Sequence, residues 1–443
     1  MAFKIARYPN KIAVIGAPTS AAALQAGHER APAALRAAGL IAQLEQAGYE
    51  VTDLGDCATQ VFQPDDEHPR ARNVSGVLAA LNELRPRVEQ AVKSGALPLV
   101  LGGDCSIALA TLAGLRRYFR SLSLVWMDRD ADLNIPATTP SGCLDGMVVS
   151  HIVGRGAAEL VRFWSELPLV REPDVVLFGT DRLDPPEEEF LSRSPIRHYP
   201  AADVLRQGAA VATQAALERV HATSREFLLH LDVDVISADD FRATNYAATG
   251  GLRLVDVRAA LGVFARRKTL AALEVTVYNP ELDPDGSAAQ LLVELLVGAL
   301  AERLQALAAA EAAAPAPRVV KLEPAEVKEA LEEKEAEPAV AATAETVSEA
   351  AAEPPAPPGE LAPAPIPSEP AQLAVEPAVT IPAEEATPPP EGEAVEATPV
   401  EPAEAVASES AVHGPPEADS RQAETTQPEA PGEAPETPKP PSE

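Results

Sequence analysis

Short apolar runs alternate with amphipathic helical stretches through the first 300 residues of this chain. The runs lie at 11–18, 50–56, 97–106, 123–128, 174–181, 226–235 and 270–279. Between them, stretches such as 31–48 and 75–95 carry apolar residues at helical spacing. Continuous Val- and Leu-rich strands separated by helices are typical of a parallel sheet that is covered on both faces. The pattern therefore predicts one α/β domain, residues 1–308, around a central, mainly parallel sheet.

The last third of the chain has a different composition. The whole chain has 67 acidic and 36 basic residues, a formal net charge of −31. Residues 311–443 hold 29 of the acidic and 6 of the basic residues, a net of −23, which leaves −8 for residues 1–310. The same segment holds 27 of the 44 prolines and no Phe, Trp, Tyr or Cys. Such a segment cannot bury enough apolar surface to fold, so we expect residues 309–443 to be a disordered Ala/Pro/Glu-rich acidic tail.

Composition also limits the compartment and the partners. Three cysteines give no disulfide framework and suit a reducing cytoplasm. The N-terminal residues lack a signal-peptide core, and no apolar run is long enough to span a bilayer, so we expect a cytoplasmic protein without a membrane partner. The acidic balance argues against nucleic acid as a partner. An acidic tail can bind a basic protein, although a solvated tail is the commoner case.

Acidic side chains follow two of the apolar runs at alternate positions. They are Asp128, Asp130 and Asp132 after the fourth run, and Asp232 and Asp234 at the end of the sixth. Residues two apart on an extended backbone project to the same side, and like charges gathered there repel unless a cation lies among them. Hard divalent cations prefer oxygen ligands, and two ions can share carboxylates. The spacing favours a metal site over solvated loop acids.

Other side chains leave alternatives open. If no metal is bound, the guanidinium of Arg129 or of Arg242 could neutralise part of the acidic cluster. His230, two residues before Asp232, could reach a metal or its surroundings, although a core histidine bonded to backbone is the commoner situation. His28 and His151 are expected at the solvated surface.

Several motifs, in order, resemble those of the arginase/agmatinase (ureohydrolase) family across residues 11–300. "GGDCS" (102–106) takes the place of the family's GGDHS, and "WMDRDADLN" (126–134) that of its DAHTDIN segment. "HLDVDVISADD" (230–240) keeps the spacing of SxDxD, and "NPELDPDG" (279–286) resembles a late NP motif. The resemblance implies an arginase-like three-layer fold, homo-trimers or hexamers, and a role in arginine metabolism. It also implies hydrolysis of a C–N bond in a small guanidino or amidino compound, such as arginine or agmatine, by hydroxide that bridges two Mn²⁺ ions.

The resemblance also assigns individual residues. The implied metal ligands are Cys105, Asp128, Asp130, Asp132, Asp232 and Asp234, with Asp128 and Asp232 bridging the ions. A thiolate at Cys105 would shift the metal preference toward Zn²⁺ or Fe²⁺. The implied substrate contacts are Asn134, Ser141, Asp184 and Tyr246. Asp130 and Asp145 occupy positions of catalytic histidines, the first a metal ligand and the second a proton shuttle.

The departures from the family pattern leave two functions open. Cys105 and Asp130 replace ligand histidines, Asp145 replaces the proton-shuttling histidine, and Val277 replaces the glutamate that holds the guanidinium. A buried guanidinium without a carboxylate partner is costly. One hypothesis is an active metal-dependent hydrolase. The alternative is a catalytically degenerate member of the fold that acts as a ligand-binding, regulatory or assembly subunit, its metals lost.

Overall fold

A single eight-stranded sheet forms the centre of the molecule in this computed structural model, which describes residues 6–164, 167–224 and 226–313. The strands are β1 (Lys11–Ala17), β2 (Glu50–Asp56), β3 (Leu97–Gly102), β4 (Leu122–Met127), β5 (Val175–Phe178), β6 (Arg197–Tyr199), β7 (Glu226–Asp232) and β8 (Leu270–Thr276). Every strand pair is parallel, and the order across the sheet is β2-β1-β3-β8-β7-β4-β5-β6. The carboxyl ends of all eight strands therefore lie along the same edge of the sheet.

Helices cover both faces of this sheet. They are α1 (Ala31–Ala37), α2 (Leu40–Gln46), α3 (Val74–Lys93), α4 (Ile107–Arg116), α5 (Val148–Ile152), α6 (Ala158–Val161), α7 (Pro185–Leu191), α8 (Ala201–Gln207), α9 (Ala209–Thr223), α10 (Leu254–Ala265) and α11 (Ser287–Ala312). Buried side chains of α1, α2, α9, α10 and α11 belong to one apolar cluster, and those of α3, α4 and α5 belong to a second. The result is a three-layer α/β/α arrangement.

The strands supply both apolar clusters because successive side chains point to opposite faces. In β4, Val125 and Met127 join the first cluster, whereas Leu124 and Trp126 join the second. All six residues of this strand are buried. This burial on both faces explains why the strand reads as a continuous apolar run instead of an alternating one.

The predicted α/β fold with a central parallel sheet is confirmed. The sequence missed only β6 among the described strands, because three residues without an apolar run carry no strand pattern. Helix α3 continues through Pro86, and α11 continues to Ala312, past the predicted domain boundary at residue 308. The predicted tail lies outside the described residues from residue 314 onward. No helix among the described residues is both long and apolar enough to cross a membrane.

Candidate functional site

A cavity of about 410 Å³ opens where the carboxyl ends of the central strands meet. Residues that directly follow β3, β4 and β5 line it, together with the last residue of β7. The cavity contains all the residues assigned by resemblance, namely Cys105, Asp128, Asp130, Asp132, Asn134, Ser141, Asp145, Asp184, Asp232, Asp234 and Tyr246. The structure thus gathers residues that lie up to 141 positions apart in the sequence, which is where α/β folds bind their ligands.

Two turns of the same kind aim the central carboxylates into the cavity. After β4, Oδ1 of Asp128 accepts a hydrogen bond from the backbone N–H of Asp130 at 2.7 Å. After β7, Oδ1 of Asp232 accepts one from the backbone N–H of Asp234 at 2.7 Å. Strands β4 and β7 are neighbours in the sheet. The two Asp-x-Asp turns therefore lie side by side.

Arg182 supplies positive charge to this cluster. Its Nε donates to Oδ1 of Asp130 at 3.0 Å, its Nη2 donates to Oδ2 of Asp130 at 2.5 Å, and Nη2 also donates to Oδ2 of Asp234. Asp130 and Arg182 form a parallel bridge just beyond β4 and β5, and this pairing sets the two side chains next to each other. Burial acts to lower the pKa of the guanidinium, but Asp234 and Asp130 raise it above its ordinary value, so Arg182 stays charged.

The two arginines that the sequence suggested for this role do not fill it. Arg129 points away from the cluster, to Oδ1 of Asp181 at 2.6 Å and to the carbonyl of Ala248 at 2.6 Å. Arg242 donates to the carbonyl of Ala238. Both suggestions are wrong, because Arg129 follows β4 with its side chain on the face opposite to Asp128.

Cys105 lies at the floor of the cavity and is 1% exposed. Its Sγ donates to Oδ2 of Asp232 at 3.0 Å, and its backbone N–H donates to Oδ1 of Asp145 at 2.7 Å. Burial and then the charge of Asp232 raise the pKa of the thiol well above its ordinary value. Without added positive charge, Cys105 is therefore a protonated hydrogen-bond donor and not a thiolate nucleophile.

The buried carboxyl groups of the cavity are subject to the same effects of burial and like charge as the Cys105 thiol. Burial, followed by the charge of neighbouring acids, raises the pKa values of Asp128, Asp132 and Asp145 well above the ordinary range. Burial raises the pKa of Asp130 to about 7, an effect that Asp234 increases and Arg182 opposes. Burial and mutual repulsion thus favour the protonated forms of these carboxyl groups.

The outer part of the cavity holds polar groups in fixed positions. Asn134 Nδ2 donates to Oδ2 of Asp184 at 2.8 Å, and Ser141 Oγ accepts from the backbone N–H of Cys143 at 3.1 Å. Asp184 is the N-cap of α7 in a capping box with Glu187, whose carboxylate also accepts from the backbone of Leu133. The structure brings these residues to one rim, but their roles toward a substrate remain predictions.

Two replaced positions lack the chemistry that the family pattern has there. Val277 is fully buried and apolar, with a φ of 68° and a backbone N–H that donates to the carbonyl of Gly103. Asp145, at the proton-shuttle position, accepts the backbone hydrogen bond of Cys105. Asp145 thus holds the Cys105 backbone in place, and Val277 offers no charge to a guanidinium.

The histidines differ from the sequence-based expectations. His28 and His151 are buried, 0% and 1% exposed, so the expectation that both are solvated is wrong. His230 is fully buried, and its Nδ1 lies 2.7 Å from Oε1 of the equally buried Glu274. Its ring stacks on Trp126 with centroids 3.5 Å apart. His230 therefore bonds to a carboxylate and not to backbone.

The donor set fits the two divalent ions implied by the resemblance at one position only. Around the first position, Cys105 offers a sulfur and Asp128 and Asp232 offer carboxylate oxygens, with ligand atoms within 4.8 Å of one another. At the second position, the guanidinium of Arg182 already bonds to Asp130 and Asp234. Ligand atoms of Asp128, Asp130 and Asp234 lie within 4.8 Å of one another, but an ion bound there would have to displace this guanidinium because the two cations repel.

Sequence reasoning missed Arg182 and Glu274. Arg182 directly follows the apolar run 174–181, but nothing in the local sequence marks it, and only the pairing of β4 with β5 reveals its position beside Asp130. A signal for Glu274 was present, because it precedes Thr276 on β8 by two residues, as His230 precedes Asp232 on β7. Matching these two strands would have placed His230 opposite Glu274.

Comparisons with known proteins agree with this fold. A family model described as the arginase family matches residues 10–301. An arginase of Bacillus caldovelox is 31% identical over 297 residues, which cover 66% of this chain and 99% of that protein, and an arginase of Bacillus subtilis (strain 168) is 30% identical over 66% and 98%. The crystal structure of an arginase from Bacillus cereus has a TM-score of 0.60 and 30% identity, covering 66% of this chain and 98% of its own. This chain belongs to the arginase family.

Proposed function

We propose that this protein binds a small cationic amidino or guanidino compound in its acidic cavity, and that it does not hydrolyse the compound by the two-metal route of its family. The observation that carries the proposal is the guanidinium of Arg182, which bonds to both Asp130 and Asp234. These are the carboxylates that the second ion of a binuclear centre would need. Arg182 supplies the charge of a cation there, but no Lewis acidity and no site for a hydroxide.

The replaced residues support loss of the family reaction independently of Arg182. No imidazole lines the cavity among the described residues, so the proton shuttle has no group with a suitable ordinary pKa. Asp145 is engaged with the backbone of Cys105. Val277 removes the carboxylate that would orient a substrate guanidinium deep in the site. The activation of water, the transfer of protons and the orientation of the substrate are thus all altered.

The charge of the cavity still favours a cationic ligand. Eight carboxyl groups and one guanidinium line it. Burial and neighbouring acids raise the pKa values of Asp132 and Asp145, and a cation that enters would lower them again, so binding is coupled to the release of protons. A volume of about 410 Å³ suits a ligand the size of an amino acid.

The outer rim offers a place for the polar end of such a ligand. Asp184 already holds Asn134 through a hydrogen bond, and the capping box fixes the backbone of Asp184 at the start of α7. Groups held in this way lose little freedom on binding. An amino group at one end of the ligand would meet the Asp184 carboxylate.

Hydrolysis at a single divalent ion is a second candidate function. It is favoured by the convergence of Cys105, Asp128 and Asp232 at the cavity floor, where Sγ lies 3.0 Å from Oδ2 of Asp232. When bound, one ion supplies Lewis acidity at this point. The residues of the chain would then only orient the ligand and hold protons on Asp132 and Asp145.

Calorimetric titration of the full chain with arginine and agmatine, paired with an assay for released urea, tests the proposal. We expect binding of both cations, at least tenfold weaker binding of neutral citrulline, and no urea with or without added Mn²⁺. Asp184→Asn keeps an N-cap residue and should weaken agmatine binding about tenfold, since a hydrogen bond to a charged group is lost. Asp203→Asn, on α8 outside the cavity and with a side chain 40% exposed, is the matched control. Urea release in proportion to protein would overturn the proposal in favour of hydrolysis.

A further inference from the structure

We propose that Cys105, Asp128, His230 and Asp232 form a site for one divalent ion of borderline softness, such as Zn²⁺, at the floor of the cavity. One ligand atom from each of these buried residues lies within 4.8 Å of the others. Ions held at 2.0–2.3 Å keep neighbouring ligand atoms roughly 3–4 Å apart, so small side-chain rotations complete the site. Sulfur, imidazole and carboxylate together suit zinc or ferrous iron better than Mn²⁺.

Strand register places these ligands together. Trp126, His230 and Glu274 are direct neighbours across β4, β7 and β8. Two residues further along, on the same face, come Asp128, Asp232 and Thr276. The imidazole therefore lies directly behind the row of residues that ends in the cavity carboxylates. Three ligands reach the ion from the cavity and His230 reaches it from the core.

A buried carboxylate fixes the orientation of the imidazole. Nδ1 of His230 lies 2.7 Å from Oε1 of Glu274, and both side chains are completely buried. Since a carboxylate accepts, Nδ1 carries the hydrogen, and the lone pair is left on Nε2. Nε2 lies 3.3 Å from Oγ1 of Thr276, which is itself 3.3 Å from Sγ of Cys105. A carboxylate on Nδ1 is the arrangement that orients histidine ligands of metals, and an ion at this point would replace the Thr276 hydroxyl as the partner of Nε2.

The thiol completes the set from the other side. Sγ of Cys105 lies 3.0 Å from Oδ2 of Asp232, with its proton shared toward that oxygen. A metal ion would take the place of this proton, leaving a thiolate and a carboxylate bound to the same ion and releasing the proton to solvent. The charge of the ion would also compensate the carboxylates of Asp128 and Asp232.

This centre differs from the binuclear one that the family implies. It holds one ion, because Arg182 occupies the other pair of carboxylates, and its imidazole comes from within β7 instead of from a loop. The inference does not rest on the proposed ligand binding or on turnover. A protein that binds metal in this way can be active or inactive.

Titration of the metal-free full chain with Co²⁺ tests the site by absorption spectroscopy. A tetrahedral site with one thiolate should give visible ligand-field bands and a near-ultraviolet sulfur-to-cobalt band, both saturating at one equivalent. Cys105→Ser should abolish the near-ultraviolet band, and Glu274→Gln should weaken Co²⁺ binding about 10–100-fold while retaining both bands. Cys57→Ser removes a buried cysteine that does not line the cavity and should change neither band.

The outcomes separate this site from the alternatives. His230→Gln should shift the ligand-field bands toward a weaker-field oxygen ligand, and melting curves of each variant without metal report whether it folds. A sulfur band that persists in Cys105→Ser but disappears in Cys143→Ser would overturn the inference, as would two equivalents bound without any sulfur band. Urea release by the Co²⁺-loaded protein would refute the proposed function and leave this site standing.

Discussion

Arg182 determines how the acidic cluster is neutralised. Asp234 is 1% exposed and lies beside Asp130, while the Arg182 side chain is about one-third exposed, at 33%. Removing one partner of a buried pair leaves an uncompensated charge, which costs more than the pair itself contributes. The arginine therefore acts as a resident cation, and its removal should make room for another one.

We expect Arg182→Met to destabilise the metal-free protein and to make it responsive to Mn²⁺. The free energy of unfolding should fall by about 3 kcal/mol, the lower end for a buried pair because the guanidinium is partly exposed. This corresponds to a melting temperature roughly 6 °C lower for a domain of this size. Added Mn²⁺ should restore most of the loss, as followed by differential scanning calorimetry in chelator and in excess Mn²⁺.

Arg129→Met is the matched control for this substitution. Arg129 is also buried, and it pairs with Asp181 instead of with the cavity acids. Its removal should destabilise the protein by a similar amount, with no recovery on addition of Mn²⁺. If Mn²⁺ restored the melting temperatures of both variants equally, the ion would not be replacing the Arg182 guanidinium specifically.

The buried His28 provides a pH test at the same scale. Burial lowers its pKa from 6.5 to about 4, and neither ring nitrogen has a hydrogen-bond partner among the described residues. Because the unfolded chain binds the proton more readily, His28 contributes no penalty above pH 6.5 and destabilises the fold progressively as the pH falls toward 4. Between pH 6.5 and pH 4 the free energy of unfolding should fall by about 3 kcal/mol in total, since each unit of pKa difference corresponds to about 1.4 kcal/mol.

The leucine in His28→Leu cannot bind a proton, so this variant should not lose stability in this way. As the pH falls from 7 to 4, its free energy of unfolding should rise by about 3 kcal/mol relative to that of the original protein. Urea denaturation at a series of pH values measures this difference, and the offset at pH 8 gives the packing effect of the substitution alone. His151→Leu should change in the same direction, since burial also lowers the pKa of His151 to about 4. A difference that stays constant with pH would rule out this explanation.

At the scale of elements, strand register explains which parts of the site the sequence could predict. The Asp-x-Asp turns directly follow apolar runs, so the positions of Asp128 and Asp232 at one sheet edge follow from local pattern and the parallel topology. The contacts of Arg182 and His230 depend on the register of strand pairs, β4 with β5 and β7 with β8, which are consecutive in the sequence and adjacent in the sheet. Local patterns do not show which residues of two such strands lie opposite each other. The sequence therefore predicted the carboxylates but not their cation.

The turn between β3 and α4 requires glycine for a steric reason. A Cβ at Gly103 would lie 2.1 Å from the carbonyl oxygen of Thr19, a backbone atom that cannot rotate away. Gly103 also donates to the carbonyl of Ala17 at 3.2 Å, and the next residue, Asp104, donates to Thr19. The segment after β1 and the segment before Cys105 thus pack backbone against backbone.

Gly103→Ala should separate these segments and cost about 3 kcal/mol of unfolding free energy. It should also weaken Co²⁺ binding, because Cys105 moves with the turn. Gly146→Ala is the control, since no atom lies within 4 Å of its added Cβ and its φ is −73°. We expect the free energy of unfolding of this control, measured by urea denaturation, to lie within about 0.5 kcal/mol of that of the original protein. A Gly103 variant as stable as the control would contradict the close approach.

At the scale of the whole molecule, the described residues already enclose the core. Leu292, Leu296 and Leu300 of α11 are fully buried in the first apolar cluster, and Leu304 packs against this cluster one turn further along. Residues 314–443 contain no aromatic residue that could add to such a core. Their composition predicts a segment without a core of its own.

Truncation after Ala313 should therefore leave the melting temperature within about 1 °C of that of the full chain, since surface changes away from packed features have small effects. Binding of Co²⁺ and agmatine should change less than twofold, because screening limits the field of distant charges at physiological salt. A full-length chain with the tail residues in shuffled order is the control and should behave as the original. A fall of more than about 5 °C in the truncated chain, about 2 kcal/mol for a domain of this size, would mean that the segment packs on the domain. Recovery of stability in the shuffled chain would instead assign the effect to composition and charge.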